Sequence, residues 1–173
     1  PQYLEEIRIV TWHRGSRGFK SYRDFLVYAG REKLAAATSL WLFYDLNRKR
    51  LIRVPETTAG AYTVEGERAL DTDIDALTPN GPFIPEFTTD ITTRFGDYDP
   101  QGHVNNAVYF DYLDTLIHLA FEGKKRVRSV SMCFQKEIDG TVKRFSAGLS
   151  PATPACRFKL FKKKRVFAVG EIC

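Results

Sequence analysis

The chain has 173 residues, enough to bury a sizeable core as one domain or two small ones, and its 43% hydrophobic and 13% aromatic content is that of a globular protein. Its 26 basic and 21 acidic residues leave a formal charge of +5, an excess that acts through long-range attraction and does not by itself define a binding site. There is no apolar run of about 18 residues and no basic start followed by an apolar stretch, so no membrane span is expected. Cys133, Cys156 and Cys173 are odd in number and fit neither a disulfide framework nor a zinc spacing, which suits a reducing cytoplasm.

Residues 3–12 (YLEEIRIVTW) are rich in β-branched and aromatic side chains and read as a strand, followed by a turn over 13–18. Residues 19–28 form a second strand, with Phe19, Phe25 and Val27 on one side, and the bend 29–32 reverses the chain. The third strand, 34–46, becomes apolar on both faces at Leu40, Trp41, Leu42 and Phe43, which predicts cover on both sides. Residues 53–82 lose this alternation and gain Pro, Gly, Thr and Asp; they read as a crossover or linker with a short helical turn in 67–77.

Alternation resumes at Phe87, Thr89, Ile91, Thr93 and Phe95. A polar bend then leads into a helix with Asn105 or Asn106 as N-cap. Its apolar positions are Tyr109, Phe110, Leu113, Leu116, Ile117 and Ala120, its solvated side carries Asp111, Asp114 and His118, and it ends near Gly123. Strands are expected at 127–138, 141–148, 156–161 and 166–172. The last hairpin is a weak repeat of the one at 23–40, with Leu34, Ala36 and Leu40 matched to Val166, Ala168 and Ile172 and a turn two residues shorter. Basic clusters at 48–50, 124–126 and 162–165 fall at predicted turns without interleaved aromatics. They read as solvated turn residues, and nucleic-acid binding is not expected.

The bend GDYDPQGHVNN concentrates proton-handling and amide groups at a helix start, where unpaired N–H groups and the helix dipole favour a polarised carbonyl. It lacks the glycine patterns of phosphate loops and the GxSxG elbow, and Asp97, Asp99 and His103 have no further His nearby to complete a metal site. What remains suits hydrolysis of an activated acyl group. The plainer alternative is that Asp97 and Asp99 form turns and His103 is a satisfied, half-buried side chain.

The run RFGDYDPQGHVNNAVYFDYLD resembles the signature of hot-dog-fold thioesterases, and its HVNNAVY core is most similar to the acyl-acyl-carrier-protein thioesterases of plants and bacteria. WHRGSRGFKSYRDFLVY and AAATSLWLFYDLNRKRLIRVP resemble the end of the first repeat of those enzymes, and Glu67, Arg68, Ala69 and Leu70 the segment joining the repeats. The resemblance implies an α+β tandem hot-dog fold, antiparallel sheets wrapped around a long helix, with the first repeat incomplete. Residues 1–54 would be the partial first repeat, lacking the strand and helix that usually come before it, 55–82 the linker, and 83–173 the repeat with the catalytic motif. Pro1 is not an initiator residue, which agrees with a processed or partial chain.

The same resemblance implies hydrolysis of fatty acyl thioesters of acyl carrier protein, without cofactor or metal. The family's Asp, Asn and His fall on Asp99, Gln101 and His103, and its Glu on Glu137 of MCFQKEI. The helix start at Asn105 and Asn106 would position the carbonyl. Gln101 replaces the plant Asn, and Ile138 stands where plant members have a Cys, so carboxylate chemistry is expected. Simple alternation turns Glu137 away from the helix-facing side; a bulge or a paired-unit interface would restore the geometry, and a salt bridge to a nearby lysine is the plainer alternative. An acyl-coenzyme A thioesterase and a non-catalytic acyl-binding or assembly module are the alternatives. A homodimer is compatible with any of them.

Overall fold

The structure, a computed structural model, describes residues 2–77, 82–151 and 155–173; Pro1 and the linker residues 78–81 lie outside the described residues. The chain divides into two compact units, Pro1–Ala76 and Leu77–Cys173, with the division falling inside the expected linker.

In unit 1, β1 (Ile7–Arg17), β2 (Lys20–Ala29) and β3 (Glu32–Leu42) form an antiparallel meander in that order. The turn expected over 13–18 is instead strand as far as Arg17. A bulge between His13 and Gly15, with Gly15 at φ 122°, absorbs the local irregularity, and Gly18 at φ 62° opens the tight turn that pairs Arg17 with Lys20. The cover predicted for both faces of the third strand is not found: Trp41 is 61% exposed and Leu42 53%. The reason is architectural. Among the described residues this unit's helical pieces are only α1 (Glu56–Ala59) and a 3-10 turn at Ile74–Ala76, and β3 is followed by the short β4–β5 ribbon (Tyr44–Asp45 with Arg50–Leu51).

Polar anchors tie the later part of unit 1 to its sheet. Asp24, fully buried, accepts hydrogen bonds from the Thr38 hydroxyl (2.7 Å) and the Ala69 N–H (2.9 Å) and lies 3.6 Å from Arg14. The Trp12 indole donates to Glu67 O at 2.9 Å, and Lys20 and Tyr22 both reach Asp75.

In unit 2, β6 (Phe87–Thr92), β7 (Val130–Phe134), β8 (Arg144–Ser150), β9 (Cys156–Lys162) and β10 (Arg165–Ile172) form an antiparallel sheet in the order β6-β8-β9-β10-β7. They pack around α2 (Val108–Phe121), the hot-dog arrangement. The helix buries Tyr109, Tyr112, Leu113, Leu116 and Ile117, a spacing that makes one continuous stripe, against Phe145, Leu160 and Phe167 among others. Asp111, Asp114 and His118 are exposed, as is Phe110, which falls outside the stripe. The helix stops where Glu122 adopts φ 52° and Gly123 φ 69°, the Gly123 N–H closing on His118 O at 3.0 Å.

The two hairpins β2–β3 and β9–β10 share more than sequence suggested. Each reverses through a two-residue turn whose first residue has a positive φ: Gly30 at 55° and Lys163 at 54°. Each then carries a register shift at the same place, beyond Lys33 and beyond Val166, so that Leu34 and Phe167 are the extra residues. The structural match is therefore Leu34 with Phe167, one residue off the expected alignment, and the turns are equal in length. The slip comes from the gap allowed in the turn, since the bulges sit at the same place in both hairpins and offset nothing.

Candidate active site

At Thr92 the β6 strand ends and the chain tightens into a 3-10 turn, Phe95–Asp97. Alternation fails here: Phe95, expected on the buried side, is 98% exposed. The buried residue is Asp97, 2% exposed, whose carboxylate accepts the Arg94 N–H at 2.7 Å, Arg94 Nε at 2.9 Å and the Tyr112 hydroxyl at 2.5 Å. Burial pushes this carboxyl up, but the Arg94 backbone N–H, the Tyr112 hydroxyl and the Arg94 guanidinium together hold it below its ordinary value. Asp97 thus fastens the start of the motif to α2.

The bend itself is closed by backbone bonds. Asp97 O accepts the Asn105 N–H at 2.8 Å, and His103 O accepts the Asp99 N–H at 2.8 Å. One carboxylate oxygen of Asp99 accepts the N–H groups of Gln101 (2.9 Å) and His103 (3.3 Å), an Asx-type turn that Gly102, at φ 80°, allows to reverse. Asp99 is half-buried and shapes the loop. The Gln101 and Asn106 side chains are exposed and make no hydrogen bond among the described residues. Asn105 Oδ1 accepts the Ala107 N–H at 2.9 Å; the helix N-cap is Ala107 and not an asparagine, because Asn105 spends its side chain on the turn just before the helix.

Beyond the bend the chain docks on the segment after β7. Val104 N–H donates to Ile138 O at 2.9 Å and His103 bridges Asp139, which brings His103 Nε2 within 3.1 Å of Glu137 Oε2. Glu137 does not follow the alternation of the strand before it, because β7 ends at Phe134 and residues 135–138 are not strand. There the N–H groups of Gln135 and Lys136 both meet Phe167 O, so the chain swings off the strand path. The lysine pairing is not what forms. His103 is partly exposed and Glu137 largely so, at 32% and 69% of their side-chain surface, which leaves the pair open to a ligand.

Three groups that the sequence did not single out hold this pair in place. The Tyr109 hydroxyl accepts the Ile138 N–H at 3.2 Å, and burial, with the charge of Glu137 adding to it, pushes its pKa up to about 12. Arg165 donates to Glu137 O at 2.8 Å and to Asp139 Oδ2 at 3.0 Å. Asp139 is held down to about 2, first by the Thr141 hydroxyl and N–H and then by Arg165. In sequence, Tyr109 is one more apolar helix position and Arg165 one more turn cation; their roles depend on which strand end faces which. Ile138 is fully buried and belongs to the core.

The assembled site is an imidazole–carboxylate pair above a loop of fixed backbone, equipment for moving a proton to or from a reacting group.

Residues 1–62 match the acyl-ACP thioesterase N-terminal domain and residues 85–147 the acyl-ACP thioesterase C-terminal domain. The chain belongs to the acyl-ACP thioesterase family. Among curated relatives, the chloroplastic palmitoyl-acyl carrier protein thioesterase of Arabidopsis thaliana is 25% identical over 145 residues, 79% of this chain and 35% of the relative. Its counterpart from Gossypium hirsutum is 26% identical over 119 residues, 65% of this chain and 29% of the relative. The chain therefore spans about a third of the length of these relatives. In fold it is similar to the 12:0-ACP thioesterase of Umbellularia californica, with a TM-score of 0.83 at 16% identity over 99% of this chain and 68% of that one. An acyl-ACP thioesterase of Bacteroides thetaiotaomicron gives 0.78 at 18% identity over 97% and 68%.

Proposed function

We propose that the chain hydrolyses fatty acyl thioesters of acyl carrier protein, with His103 and Glu137 at the reacting centre. The observation that carries this reading is the 3.1 Å contact between them, made by two segments distant in sequence and open to solvent on one side. In this mechanism the Glu137 carboxylate, oriented by His103, takes a proton from water as the water oxygen bonds to the thioester carbonyl carbon. The tetrahedral intermediate collapses with loss of the thiolate, which receives that proton, and the products are free fatty acid and carrier thiol. Asp99 holds the loop that presents His103, and Gln101, Asn105 and Asn106 line the approach to the helix start, where backbone N–H groups can meet the developing oxyanion.

A reducing, cytoplasmic setting is part of the proposal: all three cysteines are free. Among the described residues no helix is long and apolar enough to cross a membrane.

The test is hydrolysis of acyl-carrier-protein and acyl-coenzyme A thioesters by the wild type, Asp99→Ala and Glu137→Ala. Loss of general-base function at Glu137 is expected to lower kcat by about 100-fold or more, and loss of the turn at Asp99 by less. Unchanged rates in both variants defeat the assignment.

A further inference from the structure

Each of the three basic clusters keeps cations without an ion pair among the described residues, Lys49, Arg50 and Arg126 included, and the β9–β10 turn is set apart by what lies beside it. Arg48 lies 3.8 Å from Asp45, and Lys124 pairs with Glu122 while Lys125 stacks on Phe121 and reaches Cys156. At the β9–β10 turn Lys162, Lys163 and Lys164 are exposed and form no ion pair among the described residues.

The topology gives that turn neighbours. The pairings Thr92↔Arg144, Ser146↔Phe161, Lys162↔Arg165 and Ala168↔Phe134 set the end of β6, the start of β8, the β9–β10 turn and the end of β7 side by side at one end of the sheet. Exposed Lys143 and Lys136 add two more cations there, likewise without an ion pair among the described residues. Arg144 is answered by Asp90 and Arg165 by Asp139, so the nearby carboxylates are already engaged. Phe95, 98% exposed, projects from the loop after β6 at the same end. Lys136 adjoins Glu137 in sequence, and Arg165 touches it, so this basic end is also the end that carries the His103–Glu137 pair.

Solvated turns explain any one of these lysines. They do not explain five unneutralised cations gathered with a bare aromatic beside a reactive pair; a charged rim around an aromatic anchor is the anatomy of a protein-binding surface. We propose that this end of the sheet, formed by Lys136, Lys143, Lys162, Lys163, Lys164 and Phe95, docks the acidic surface of an acyl carrier protein and delivers its thioester to Glu137. The proposal rests on the thioesterase reading. Such a surface speeds encounter and fixes orientation more than it adds tight affinity, and its effect falls with salt.

The experiment separates docking from chemistry. Binding of a carrier protein bearing a non-hydrolysable acyl amide is measured at low and high salt for wild type, K162E/K164E, F95A and K124E/R126E, alongside hydrolysis of acyl-carrier-protein and acyl-coenzyme A thioesters. Charge reversal at 162 and 164 is expected to weaken binding about tenfold at low salt and to lower kcat/KM for the carrier substrate in step, with kcat held at saturation. F95A should act in the same direction, whereas K124E/R126E should leave affinity unchanged. Equal binding by wild type and K162E/K164E overturns the proposal while leaving the thioesterase reading intact. So does a loss confined to acyl-coenzyme A, which would assign the lysines to nucleotide phosphates. Salt-dependent binding lost in K162E/K164E, with no hydrolysis by the wild type, supports the docking surface and removes the catalytic reading.

Discussion

Unit 1 and unit 2 share a hairpin down to its turn and its bulge, yet they are held together differently. Unit 2 wraps its sheet around α2 and contributes nearly all of the buried apolar side chains, whereas unit 1 adds Ala29 and Val54 and leaves Ile9, Trp41 and Leu42 exposed. In place of an apolar core, unit 1 buries Asp24 and His13. The same strand pairing therefore rests on a hydrophobic core in one unit and on polar anchors in the other. A reactive pair needs neighbours that do not move, and the pair proposed for that role, His103 and Glu137, lies in the unit with the packed core.

The contrast is sharpest at single side chains. Leu116→Ala, at a fully buried helix position, should cost about 3 kcal/mol, seen as a lower urea midpoint for unit 2, while Leu42→Ala should shift stability by less than about 0.5 kcal/mol. A large effect at Leu42 would mean that the exposed face of β3 is covered in solution. Asp24→Ala should cost about 2 kcal/mol, because it strands the Thr38 hydroxyl, the Ala69 N–H and Arg14 together, and it should remove hydrogen-exchange protection at the Ala69 amide.

A smaller effect concerns pH, and both units share in it: in unit 1 Lys20 holds the Asp75 carboxyl below its ordinary value. Asp97 and Asp139, both in unit 2, have carboxyl groups held below their ordinary range. Their contribution is fully present above the unfolded carboxyl value of about 4 and is lost as pH falls through the folded values, for Asp139 at about 2. Unit 2 should thus lose stability progressively below about pH 4. Tyr112→Phe, which removes one of the hydrogen bonds that holds Asp97 down, should flatten that dependence and cost about 1 kcal/mol. A comparable effect is expected of Tyr109→Phe, which deprives the Ile138 N–H of its acceptor: a loss of about 1 kcal/mol, with a larger fractional fall in activity than in stability.

Much of this architecture was legible in the residues. The period-2 runs located the strands, and the stripe from Tyr109 to Ile117 located the helix, because burial on one face leaves a pattern that survives in one dimension. The motif pointed to His103 and Glu137 through family resemblance. Alternation pointed Glu137 the other way, since it assumes that a strand continues and cannot see β7 end at Phe134. Phe95 and the turn expected over 13–18 failed for related reasons: a 3-10 turn begins one residue too early for the first, and a bulge keeps a glycine-rich stretch in the sheet for the second. The roles of Tyr109, Asp139 and Arg165 were hidden because their work is to join elements far apart in the chain, and one sequence carries no sign of which polar groups will meet; Asp97 was expected to form a turn, but its bond to Tyr112 was not foreseen.

The claim on which the account turns is that His103 and Glu137 act as one unit. Hydrolysis of an acyl-carrier-protein thioester by His103→Ala, Glu137→Gln and the double variant tests it directly. Each single substitution should lower kcat by about 100-fold or more, and the double variant should lose little beyond the worse single. Losses that multiply, or a single variant that keeps wild-type turnover, would contradict it.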